Sequence, residues 1–80
     1  MNNESNEMNI ESKLAYELAN ALNDRESLAL YATFTQKYQE AFLRKILQRV
    51  MSVPDNKIKR TRGALFTYLV NQYGTNHSRH

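Results

Sequence analysis

Apolar side chains recur at every third or fourth position along most of this chain, and that spacing fits a helix rather than a strand. Positions three and four apart share one face of a helix, whereas strand neighbours alternate faces. The series opens with Ile10, Leu14, Leu18 and Leu22, with Ala15, Ala19 and Ala21 beside them. It continues through Leu28, Tyr31, Ala32, Thr35 and Tyr38, with Leu30 and Phe34 forming a second stripe. It resumes in Phe42, Leu43, Ile46, Leu47, Val50 and Met51, and again in Leu65, Phe66, Leu69, Val70 and Tyr73. The predicted fold is all-α: a small domain of four helices near 10–22, 25–37, 39–52 and 61–73, with disordered termini. Only 2 Gly and 1 Pro oppose a turn-rich β protein.

Local signals set the boundaries. Asn23-Asp24 ends the first helix, and Asp24 is placed to cap the next. Thr33 and Thr35 weaken the end of the second helix because β-branched side chains lose freedom there, so a break is expected near 37–39. Pro54 stops the third helix, since the residue before a proline is pushed out of helical geometry. Thr61 suits the N-cap of the last helix and Gly74 its C-terminal stop. Gly63 in the first turn costs about 1 kcal/mol relative to alanine, so it points to a close approach by a helix, a loop or a phosphate. Residues 1–9 read as a disordered acidic and polar arm, 10–74 as one helical domain, and 75–80 as a frayed tail. The 80 residues allow a single core.

Several function classes are set aside by composition. With 0 Cys there is no disulfide framework and no thiolate zinc site. No apolar run approaches the roughly 20 residues that span a bilayer. The polar start is unlike a secretory signal, so a cytoplasmic protein with no membrane association is expected. No Cys nucleophile, Ser-His-Asp set or glycine-rich phosphate loop is present, and the chain reads as non-enzymatic. His77 and His80 have a three-residue spacing, but Gly74-Thr75-Asn76 before them argues against a helix that would pair them on a metal. No metal or cofactor is expected. The acids Glu4, Glu7 and Glu11 read as a solvated arm.

Charge is distributed unevenly. Residues 1–40 hold seven acids and three bases, whereas 41–80 hold eight bases and one acid, Asp55. Lys57, Lys59, Arg60 and Arg62 crowd into six positions before a helix N-terminus, where free amides and the helix dipole also favour anions. Lys45 and Arg49, one turn apart, extend this patch if the third helix ends nearby. Such a cluster suits phosphate-backbone contact by nucleic acid, DNA or RNA. A solvated connection, with Arg60 or Arg62 paired to acids of the first helix, is the plainer alternative.

Of the five tyrosines, Tyr31, Tyr38 and Tyr73 fall on apolar stripes and are expected in the core. Tyr16 and Tyr68 fall off them, and Tyr68, nearer the basic segment, is the candidate to stack on a base. The apolar residues outside a single stripe (Leu30, Phe34, Phe66, Val70) exceed what one small core should bury. The second reading is therefore a protein-interaction module or homodimer acting through exposed apolar and aromatic helix faces, or binding an acidic protein.

The order of features over about Gln39 to Tyr73 is an aliphatic and basic helix, a basic connection, then Arg62-Gly63-Ala64-Leu65-Phe66-Thr67-Tyr68-Leu69-Val70. This resembles the C-terminal helical part of DnaD-like bacterial and plasmid replication-initiation proteins. The resemblance implies a small domain that contacts DNA and partner proteins in replication. Thr61-Arg62 stands where that family often has an Asn-Pro or similar turn, and the family's winged-helix domain is not seen upstream. An isolated accessory module is what the resemblance then implies.

Overall fold

The computed structural model describes residues 10–78, with side chains from Lys13 onward. The expected arm at 1–9, the side chain of Glu11, and Arg79 and His80 lie outside the described residues. Four helices form: α1 (Ile10–Ala21), α2 (Leu28–Lys37), α3 (Glu40–Met51) and α4 (Arg62–Tyr73). The all-α expectation holds, and no strand occurs among the described residues beyond a single bridge between Tyr38 and Ser78.

The end of α1 is fixed by its backbone. Asn23 takes the left-handed conformation, φ 54°, which asparagine tolerates better than most residues. The Asp24 N–H then donates back to the Ala19 carbonyl and the Asn23 N–H to that of Asn20, closing the helix. A short 3-10 turn at Arg25–Ser27 follows, so α2 begins three residues later than the sequence indicated. Asp24 precedes this turn but makes no side-chain cap; its carboxylate is used elsewhere.

At the end of α2, the Thr33 hydroxyl donates to the Ala29 carbonyl and the Thr35 hydroxyl to that of Ala32. Hydroxyls bonded back in this way compete with the helix ladder. The chain leaves helical geometry at Tyr38 and Gln39, both extended, and enters α3 directly.

The helices pair, α1 along α2 and α3 along α4. Ala15 and Ala19, both buried, let α2 lie close to α1 among Leu14, Leu18 and Leu22. Aromatic rings join the two pairs. Phe66 of α4 meets Tyr31 of α2 edge-on at 5.8 Å between centroids, and Phe34 at 6.3 Å. This answers the expectation that Phe34, Phe66 and Val70 exceed the core: all three are buried, because α2 lies between α1 and α4 and is apolar on two adjacent faces. Leu30 alone of that group remains exposed.

Two tail expectations change. Tyr73 was expected in the core but is 51% exposed. A 3-10 turn at Gly74–His77 folds back, and the His77 ring stacks on Phe42 at 4.3 Å with the planes 4° apart. The Gln39 N–H donates to the His77 carbonyl, so the chain expected to fray from Thr75 is tied to the start of α3 through Ser78. Gly74 does end α4, but with an ordinary helical φ of −78°. Its requirement is space: a Cβ there would fall within the buried Tyr38 ring.

Candidate functional site

The stretch joining α3 to α4 is built from paired loose ends. At the end of α3 the Gln48 carbonyl accepts from the Ser52 N–H and the Val50 carbonyl from the Val53 N–H, and side chains add to both. The Ser52 hydroxyl donates to the Gln48 carbonyl, and Arg62 reaches back to donate to the Val50 carbonyl at 2.6 Å. The same guanidinium bonds the Asp55 carboxylate. A 3-10 turn at Asp55–Lys57 and half-buried Ile58 then carry the chain to Thr61. The Thr61 hydroxyl oxygen accepts from the Ala64 N–H at 3.0 Å, so the expected N-cap is present.

This arrangement divides the basic cluster. Arg62 is committed to structure, holding the end of α3 and the only acid of the second half. Lys57, Lys59 and Arg60 are exposed and form no ion pair among the described residues. With Ile58, Thr61, Ala64, Leu65 and Tyr68 they line a groove of about 440 Å³. Thr61, Ala64, Leu65 and Tyr68 share one side of α4, which is why the groove runs along it. Its floor is apolar and its rim cationic. Tyr68 is 60% exposed, the most exposed of the large apolar residues among those described.

The start of α4 is closed to a phosphate. A Cβ at Gly63 would stand 2.7 Å from the Asp24 carboxylate and 2.7 Å from the Tyr31 hydroxyl. The close approach foreseen at Gly63 is thus made by the α1–α2 loop. The Tyr31 hydroxyl donates to Asp24 at 2.8 Å, and burial, with this carboxylate beside it, raises the tyrosine's pKa well above its ordinary value. Asp24 itself brings negative charge to the first turn of α4, where the helix dipole favours it.

Lys45 and Arg49 do not join the groove beside Tyr68. They line a second one, of about 310 Å³, with Phe42, Ile46, Tyr73 and His77. Tyr68 and Tyr73 lie about 140° apart around α4, so the two grooves open on different sides of the helix. His77, considered above as half of a metal pair, is stacked on Phe42 in this second site.

The remaining strong charge contact ties α1 to α3. Arg44 bonds both oxygens of Glu17, at 2.9 and 3.1 Å, and one of Glu40. The hydrogen bonds from Arg44 hold Glu17 below its ordinary carboxylate range. Arg44 was not singled out in the sequence; no rule of spacing links it to Glu17, and only its four-residue offset from Glu40 was visible.

Among the described residues, no helix is long and apolar enough to cross a membrane, and no three His, Asp or Glu side chains gather as for a metal ion. No family model, no curated protein and no solved structure matches this chain.

Proposed function

We propose that the chain is a small nucleic-acid-binding module working through the groove between the α3–α4 connection and α4. One observation carries this reading: three cations, Lys57, Lys59 and Arg60, without an ion pair among the described residues, rim an apolar groove that holds the exposed ring of Tyr68. Phosphates supply the negative charge such a rim attracts, and binding releases their counterions. Thr61 contributes as well. Its oxygen accepts from Ala64, and its own proton is still available to donate. The likeness of residues 39–73 to DnaD-like initiators favours DNA as the partner.

The site on this reading is smaller than the sequence cluster. Arg62 supports it from beneath, and Lys45 and Arg49 stand in the other groove. The test is fluorescence anisotropy with labelled DNA and RNA at two salt concentrations. Binding that weakens steeply with salt, and is lost in the double variant Lys59→Glu with Arg60→Glu, is the expected result. Affinity unchanged in that variant would remove the reading. Capture of acidic proteins instead, with no oligonucleotide bound at low salt, would turn the same groove into a protein site.

A further inference from the structure

We infer that the groove takes single-stranded nucleic acid, with one unpaired base stacked on Tyr68 and the neighbouring phosphates on Lys57, Lys59 and Arg60. This rests on the nucleic-acid reading above and goes further by naming the form of nucleic acid bound.

The shape of the site favours an unpaired base. A duplex offers a protein surface its phosphates and the edges of its bases. It would engage the three cations and leave the apolar floor of Ile58, Ala64 and Leu65 uncovered. An unpaired base has two flat faces to bury, and every base has them, so an aromatic platform beside a cationic track is a recurrent way to hold single strands. Tyr68 provides that platform. Its ring is exposed, it packs against no other aromatic ring among the described residues, and its position on α4 puts it beside the cationic rim. A groove of about 440 Å³ lies within the range of ordinary small-ligand sites, roughly 300–1,000 Å³, so a base and its sugar fit.

The site is also short. Lys57 to Arg60 spans at most about 10 Å of chain. With one phosphate per roughly 3.4 Å of a strand, the three cations cover about three phosphates. Affinity should therefore rise with oligonucleotide length only over the first few nucleotides.

The distinguishing experiment compares a short labelled oligothymidylate, an oligouridylate of the same length and a short blunt duplex. Each is titrated with the full chain and with Tyr68→Ala, Tyr68→Phe, Tyr16→Ala and the Lys59→Glu, Arg60→Glu double variant. Circular dichroism confirms that each variant keeps its helices. The wild type is expected to bind the single strands roughly tenfold or more tighter than the duplex. Tyr68→Ala should erase that preference and leave duplex binding in place, Tyr68→Phe should keep it, and Tyr16→Ala should change nothing. The DNA and RNA strands separate a preference for one sugar from stacking common to both. Equal binding of strand and duplex, with Tyr68→Ala silent and the double charge variant weakened on both, would overturn the single-strand inference and leave the nucleic-acid reading intact. No binding of any oligonucleotide by the wild type would overturn both.

Discussion

The two basic grooves beside α4 resemble each other in composition and differ in what stands behind them. Each has cations, a tyrosine and aliphatic floor residues. In the first, the cations lie on an exposed connection around an unstacked Tyr68, while the neighbouring arginine, Arg62, is turned inward to hold the end of α3. In the second, the cations lie along α3, and the His77 ring stacked on Phe42 forms part of the wall. Similar residue types therefore give one groove around an exposed tyrosine that stacks on no ring among the described residues, and another walled by a stacked histidine and phenylalanine. Whether a basic residue is available to a partner depends on what its own chain offers it: Arg62 finds a carbonyl and a carboxylate, and Arg60, two positions earlier, finds neither.

Charge reversal at Lys59 and Arg60 should separate the grooves most sharply. Each phosphate contact on a single strand carries about 0.7 of a counterion, so at roughly 50 mM salt losing two contacts should weaken binding by roughly fifty-fold. The same relation gives a slope of log affinity against log salt of about −2 for three contacts, and about −3.5 if Lys45 and Arg49 also engage. A measured slope near the larger value would merge the two grooves into one footprint.

Next in size is Gly63→Val. The new side chain meets Asp24 and the buried Tyr31 hydroxyl, and overpacking of this kind costs about 1–3 kcal/mol, read from urea denaturation. Arg62→Ala removes the charged donor to the Val50 carbonyl, which keeps only the Val53 N–H, and breaks the pair with Asp55; it should cost about 1–2 kcal/mol. If Arg62 is a structural residue, the folded fraction of that variant binds nucleic acid nearly as wild type. A loss as large as that of the Lys59, Arg60 variant would return Arg62 to the binding site.

A smaller effect is expected at Arg44→Gln. Its ion pairs are about half exposed, so the cost should stay below about 1 kcal/mol. Because Arg44 lowers the pKa of Glu17 in the folded state, the stabilisation is present above the ordinary carboxylate pKa and is lost as pH falls through the lowered one. Denaturation of wild type and variant should therefore converge on acidification. The smallest effect belongs to Lys45→Glu with Arg49→Glu, which should change oligonucleotide affinity less than threefold by anisotropy, a modest long-range repulsion in salt.

The sequence by itself determined the helices and most of their ends. Helical periodicity, the threonines of α2, Pro54 and the Thr61 cap are local signals, and local backbone chemistry acts the same way in any tertiary setting. It also marked Lys57, Lys59, Arg60 and Tyr68, because a charge run and an aromatic off the apolar stripe are both visible in one dimension. Tertiary structure decided the rest. Tyr73 is left exposed, and His77, expected in a frayed tail, is packed, because the last turn folds back on Phe42, a contact between positions 35 apart that no spacing rule reports. Gly63 is small because a loop from the other helix pair lies against it. Arg62 left the cluster because the packed end of α3 brings the Val50 carbonyl and Asp55 to its guanidinium, and Lys45 and Arg49 left it because α4 separates their side from that of Tyr68. In each case a side chain's role depends on which distant group reaches it first, and that is settled only when the helices pack.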